Sequence, residues 1–223
     1  MAIAYVTSGK ETSGGSTTSR NWTFDAGTGD DRFLLVTAYV GEDPAGKSAA
    51  ITYNGVSATY LGVSNNVTDR FGVWYLANPA SGSNTLNVSA SSSMYFHLSA
   101  IVYSGVDQTT PINAEQEAYT ASDPTPISAS LTSTVDDCWH IMVAMGNATQ
   151  TAGTSTTQRL YFSPNPNQGY YDSNSAKNPA GSVTLNVNAG STSFSTTWIL
   201  AIAPATGGGG GGATFTPQVM FFT

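Results

Sequence analysis

One stretch of this chain occurs twice, and the repetition constrains the fold more than any other feature. Asn78-Pro79-Ala80-Ser81-Gly82-Ser83-Asn84-Thr85-Leu86-Asn87-Val88 returns, one residue shorter, as Asn178-Pro179-Ala180-Gly181-Ser182-Val183-Thr184-Leu185-Asn186-Val187. Each copy is followed, after a polar turn, by a long apolar run, Tyr95–Tyr103 and Phe194–Ala203. Each is preceded at a distance by a pair of aspartates and another apolar run, Asp30-Asp31 before Phe33 and Asp136-Asp137 before Trp139. The spacing predicts two related halves, at about 30–105 and 136–204.

The runs themselves are short, β-branched and aromatic. Phe33–Val40, Ile51–Leu61, Phe71–Leu76, Thr85–Ala90 and Tyr95–Tyr103 are separated by Gly-, Pro-, Asn- and Ser-rich turns. Asn54-Gly55 between apolar flanks is a strong hairpin signal. Beyond a Pro-containing connection over 106–126 come Ile127–Ser133, Trp139–Met145, Gln158–Phe162, Val183–Val187 and Phe194–Ala203. Strands about ten residues apart indicate an antiparallel sandwich or barrel. No segment carries a capped helical period of useful length, and Ala114–Tyr119 has room for one turn. A half of about seventy residues has little to cover both faces of a sheet alone. The expected fold is therefore all-β, one antiparallel jelly-roll-like β-sandwich over 1–204, built from two related halves.

Composition narrows the function. Charged residues make up 9% of the 223, against roughly a quarter in an ordinary domain, while Ser and Thr fill about a quarter. Exposed helices need Lys and Glu, so a bundle or coiled coil is excluded. A net charge of −7 with seven basic residues leaves no basic stripe, so no nucleic acid is expected. Disorder fits poorly with 40% hydrophobic and 11% aromatic residues. Met1–Val6 is apolar but short and lacks a basic lead, unlike a signal peptide. No apolar run reaches spanning length, so no membrane insertion is expected. So few charges also leave little to protect sheet edges from pairing, which suits a subunit of an assembly.

The residues offer little chemistry. His97 and His140 lie inside predicted strands, without the spaced partners of a zinc or catalytic site, and read as satisfied core or face residues. Cys138 is a single cysteine beside Trp139 and reads as core. No Gly-x-Ser-x-Gly elbow appears. The oxygens of Asp25–Asp31 lack the alternating calcium pattern, and adjacent aspartates in a strand point to opposite faces. Neither a catalytic residue, a metal nor a cofactor is expected. Trp22, Tyr60, Tyr161, Tyr170 and Tyr171 fall near turns, where exposed aromatics would suit a surface glycan.

The end of the chain differs in kind. Residues 205–213 form a tether around Gly207, Gly208, Gly209, Gly210, Gly211 and Gly212, spanning at most about 20 Å over the six glycines. Residues 214–223 read as an arm strand, with Phe215, Val219 and Phe221 on one side and Met220 and Phe222 on the other. An apolar strand on a tether is suited to adding to a sheet edge, in a neighbour or in its own body.

Several motifs together resemble a known family. They include Ile51-Thr-Tyr-Asn-Gly-Val56, Val73-Trp-Tyr-Leu-Ala-Asn-Pro79, Tyr103-Ser-Gly-Val-Asp-Gln-Thr-Thr-Pro111, Asp137-Cys-Trp139 and Ala201-Ile-Ala-Pro204. The opening Met-Ala-Ile-Ala, Thr151-Ala-Gly-Thr154, Thr157-Gln-Arg159 and Asp172-Ser-Asn174 belong with them. The resemblance is to a jelly-roll-like β-sandwich family of tailed-bacteriophage virion proteins and bacterial surface proteins. It covers nearly all of 1–204 and stops at the tether. It implies a virion or surface module with no catalytic residues to carry over. The expectation is a structural bacteriophage protein, decorating or projecting from the capsid and anchored by its arm. Its partners would be other virion proteins and copies of itself, and its location the virion surface after synthesis in the cytoplasm. A carbohydrate-binding adhesin module of a fibre or tail, and a subunit of an extracellular filament, are the alternatives.

Overall fold

A computed structural model describes residues 1–12, 15–39, 49–64, 70–121, 125–163, 167–190 and 194–205. The glycine tether and the arm residues 214–223 lie outside the described residues. The described chain is all-β. Its first half contains β1 (Ala4–Thr12), β2 (Thr17–Asp25), β3 (Phe33–Tyr39), β4 (Ala50–Tyr53), β5 (Val56–Ser57), β6 (Thr59–Val63), β7 (Phe71–Ala77), β8 (Ser83–Met94) and β9 (His97–Ser104). The second contains β10 (Ile112–Thr120), β11 (Ile127–Thr132), β12 (Trp139–Gly146), β13 (Gln150–Ala152), β14 (Thr157–Phe162), β15 (Asn167–Asp172), β16 (Ser182–Ala189) and β17 (Ser195–Ile202).

The two halves share one topology. A five-stranded sheet runs β1-β9-β3-β7-β6 in the first half and β10-β17-β12-β15-β14 in the second. The other sheets run β2-β8-β4-β5 and β11-β16-β13. This interleaved order is that of a jelly roll, so the sequence repeat marks a duplicated sandwich. Irregularities in register are duplicated as well. A bulge falls between Tyr5 and Thr7 on β1 and between Ile112 and Ala114 on β10. Another falls between Tyr60 and Gly62 on β6 and between Gln158 and Leu160 on β14. Leu86 and Val88 of one repeat and Leu185 and Val187 of the other point inward, fully buried. Between them, Asn87 donates to Asn21 (2.7 Å) and Asn186 accepts from Ser128 (2.7 Å).

Each half contains two sheets, and the halves join by stacking their five-stranded sheets. Three cores result. Leu34, Val36, Trp74 and Leu86 fill the first sandwich, and Met142, Tyr171, Leu185 and Ile199 fill the second. Phe33, Leu35, Tyr103, Trp139, Ile141 and Leu200 fill the seam between halves. Strands β3, β9, β12 and β17 are thus covered on both faces, which is why they read as unbroken apolar runs rather than alternating ones. The seam also holds polar contacts. Thr37 Oγ1 bonds the Tyr170 hydroxyl (2.6 Å), which donates to the Ser99 carbonyl (3.1 Å).

Three expectations change. Ala114–Tyr119 is not a helical turn in a connection; it belongs to β10, paired with β17 from Ile112↔Ile202 to Thr120↔Ser195. Strands begin well before Phe33, the first run read as one: Ala4–Thr12 forms β1 and Thr17–Asp25 forms β2, both at sheet edges. The edges are also better protected than the charge content suggests. Among the described residues, every charge inside a strand except Asp172 lies on an edge strand. These are Lys10 and Glu11 on β1, Arg20 and Asp25 on β2, Glu115 and Glu117 on β10, and Arg159 on β14. Few charges suffice because they stand where an unpaired backbone needs them.

Candidate assembly site

The last described residues, 203–205, lie at one pole of the body, and backbone bonds fix them there. After β9 the chain turns at Gly105, whose φ of 71° lies in the left-handed region. Val106 then pairs with Pro204. Asp107 N donates to Ala203 O (2.9 Å), and Ala205 N donates to Gly105 O (2.8 Å). The Met1 amino nitrogen donates to Ala205 O (2.8 Å). The connection between the halves, the start of β1 and the last described residues are therefore one hydrogen-bonded unit.

Beside this unit lies a cleft of about 550 Å³, walled chiefly by Met1, Ile3, Trp139, Ala176, Pro204 and Ala205. Ile3 and Trp139 are buried seam residues at 5% and 9% exposure, whereas Met1 is 60% exposed. Trp139 is held edge-on to Tyr103, with ring centroids 6.0 Å apart. The charged groups at the rim already have partners. Asp137 Oδ1 accepts from Asn178 Nδ2 (2.8 Å), and the Met1 amino group is engaged as above. The cleft offers apolar surface next to the point where the glycine tether begins in sequence.

A second groove of about 340 Å³ is walled by Ser155, Ser173, Ser175, Ala176, Lys177, Val183 and Thr184. Two of its hydroxyls are already committed: Ser173 Oγ donates to Ser175 O (2.8 Å) and Ser175 Oγ to Ser173 O (3.1 Å).

The aromatic candidates for a ligand platform do not come together. Trp22, Tyr60 and Tyr161 stand on β2, β6 and β14, which belong to three different sheets. Trp22 packs on Phe24 (4.9 Å) and Tyr60 on Trp74 (5.0 Å), while the Tyr161 hydroxyl is buried. Tyr170 and Tyr171 are not near-surface residues at all; both are fully buried. β15 is an inner strand of a sheet covered on both faces, so Tyr170 enters the seam and Tyr171 the second core. Burial pushes both phenols above their ordinary pKa. Tyr171 takes the place that Trp74 has in the first half, and Gly169 and Gly72 leave room for the two rings.

His140 is fully buried and His97 half-buried, and both are less well partnered than the satisfied core or face residues expected. Neither ring nitrogen of the buried His140, nor Nδ1 of His97, meets a hydrogen-bond partner among the described residues. Burial lowers the pKa of both, that of His140 to about 4, with Lys177 adding to the shift. His97 stacks on Tyr39 (5.4 Å) and meets Phe162 of the other half edge-on (5.6 Å). Cys138 is buried, and burial pushes its thiol up to about 11. Among the described residues, no group of three or more His, Cys, Asp or Glu side chains is placed to hold a metal ion.

Fold and pole together define a tandem β-sandwich in which residues 203–205 are bonded to the start of β1 and to the turn after β9. No family model, no curated protein and no solved structure matches the chain.

Proposed function

We propose that this chain is a structural protein of a bacteriophage particle, decorating or projecting from the capsid and held there by residues 214–223. The observation that carries the reading is the fixed exit at the pole. Ala205 is bonded to Gly105 and to Met1, and beyond it the sequence continues into six glycines and an apolar strand-like segment. A pinned exit followed by a tether gives an arm a firm origin and a wide search radius. Phe215, Val219, Met220, Phe221 and Phe222 are then free to add to a partner's sheet edge, with backbone bonds for affinity and side-chain pockets for specificity.

The rest of the molecule is consistent with that division of labour. The large apolar side chains of the body fill three internal cores, and the charges within its described strands, Asp172 apart, stand on edge strands. Both features favour a body that stays soluble while the arm makes the attachment. The sequence resemblance to tailed-bacteriophage virion and bacterial surface sandwiches points the same way.

The test is a chain ending at Thr206. It is expected to fold and melt like the full chain, yet to be missing from purified particles assembled in its presence. Normal incorporation of the shortened chain overturns the anchoring role.

A further inference from the structure

The apolar cleft at the pole and the apolar arm that follows it in sequence are neighbours, and that adjacency has a consequence for the free subunit. Pro204 and Ala205 form part of the cleft wall, so the tether begins at the cleft itself. Phe215 lies ten positions after Ala205. A chain of that length reaches at most about 35 Å when extended, and averages about 17 Å when it behaves as a Gly-rich coil. The segment 206–223 has no charged side chain, and the two charged groups at the cleft rim are already hydrogen-bonded. The cleft volume of about 550 Å³ lies in the range that holds a drug-sized apolar ligand, so it admits aromatic side chains.

We propose that this cleft is the resting seat of the chain's own arm: before assembly, residues 214–223 fold back and place their aromatic side chains against Ile3, Trp139 and Pro204. The proposal rests on the reading of 214–223 as the assembly arm and adds where that arm waits. A tethered segment meets its own cleft at an effective concentration in the millimolar range, well above that of a second copy in dilute solution. The seat therefore fills in cis in the free subunit. It gives way in trans when a partner's edge supplies backbone bonds as well as pockets. An apolar strand that would otherwise invite aggregation is covered meanwhile.

Cysteine pairs test this in the full chain. Ala176 is an exposed cleft residue, and Thr216 and Gln218 are polar arm positions whose replacement leaves the aromatics in place. Ala176→Cys combined with Thr216→Cys or Gln218→Cys is oxidised mildly at low micromolar concentration; the native Cys138 is buried and stays out of the exchange. The comparison pair uses Tyr95→Cys, an exposed site between β8 and β9, at the opposite pole. The expected result is an intrachain disulfide at least tenfold faster with position 176 than with position 95. Equal rates at the two sites, dimers only, or no disulfide overturn the cis seat.

A second variant, Ala176→Arg, fills the cleft from its rim without touching the core. It is expected to fold, to self-associate more than the parent as a free chain, and still to enter particles. Unchanged self-association counts against the seat. The chain ending at Thr206 separates the two ideas: if it fails to incorporate while no cis disulfide forms, the anchor stands and the seat falls.

Discussion

The Tyr103 hydroxyl donates to Asp172 Oδ2 at 2.7 Å, joining the first half of the molecule to the second across their common seam. Asp172 is fully buried, and the same oxygen accepts from Arg159 Nε at 2.7 Å. Arg159 in turn lies over the ring of Tyr5, 4.6 Å from its centroid, and its carbonyl accepts from Ser8 Oγ (3.1 Å). Asn174 N donates to the other oxygen, Oδ1 (2.9 Å), so the buried carboxylate has three donors, and its removal strands the Arg159 charge that it pairs with. Asp172→Ala leaves the guanidinium and the phenol facing an apolar seam, and is expected to destabilise by about 3 kcal/mol. Tyr103→Phe removes one hydrogen bond and is expected to lose about 1–2 kcal/mol. Urea unfolding of the two variants checks the ranking; equal losses would mean that the carboxylate is not the hub of the contact.

Acid should weaken the fold through His140. Its folded pKa is lowered to about 4, from an ordinary value of 6.5. The unfolded chain therefore takes up the proton first as pH falls. Stability is whole above about pH 6.5 and declines between there and about 4, by about 2 kcal/mol at pH 4.5. His97, also lowered by burial, acts in the same direction. His140→Leu removes the ionisable group together with two ring nitrogens that lack partners. Thermal melts between pH 7.5 and 4.5 should show a shallower decline for that variant. A parallel decline would assign the acid sensitivity to other groups.

What the sequence made legible follows from coverage. Phe33–Val40 and Trp139–Met145 were readable because a sheet buried on both faces has no polar side to interrupt the run. The repeat of Asn-Pro-Ala through Leu-Asn-Val was readable because each copy combines a turn with the start of an alternating strand, Leu and Val in and Asn out. The edge strands β1, β2 and β10 were not. β1 and β10 pair on one side only and carry the polar and charged residues that an open edge requires, so their composition imitates a loop. β15 was missed for a different reason: Asn167-Gln168-Gly169 looks like a turn, and only the seam explains Gln168. Its Oε1 accepts from Ser99 of the other half (3.3 Å). The pairing of Arg159 with Asp172 joins positions on neighbouring strands and carries no signal of its own in the chain. The cleft at the pole was not legible in the sequence, because Ile3, Trp139 and Pro204 meet only in the fold.

Burial also decides how a glycan would be sought. Tyr171 fills the second core, and Tyr171→Ala is expected to cost about 3–5 kcal/mol as a large-to-small core change. Loss of binding in that variant would report unfolding rather than a lost contact. Tyr60 and Tyr95, at 40% and 58% exposure, are the informative positions. Tyr95→Ala is expected to leave the melting temperature within about 2 °C of the parent, since surface changes stay within about 0.5 kcal/mol. A large fall in melting temperature would show that Tyr95 is held by packing.

Gly105 offers the sharpest test of the pole as a unit. Its φ of 71° is a conformation in which a Cβ is strained by the backbone itself. A Cβ there would also run into the carbonyl oxygen of Ala2, which is main chain and has no rotamer to yield. The two effects act together. Turning Gly105 away from Ala2 also moves its own carbonyl, which accepts from Ala205 N, so the strain reaches Ala205. Gly105→Ala is accordingly expected to destabilise by more than about 2 kcal/mol. Gly55, with a φ of 76° but nothing near its Cβ position, is the matched control; Gly55→Ala carries the backbone strain alone and should lose about 1 kcal/mol. Limited proteolysis and amide exchange at 1–5 and 203–205 distinguish a local from a global effect. The expected outcome is faster exchange at Ala203 and Ala205 in Gly105→Ala, with β3 and β12 still protected. Unchanged exchange at 203–205 would show that the turn after β9 does not hold those residues in place.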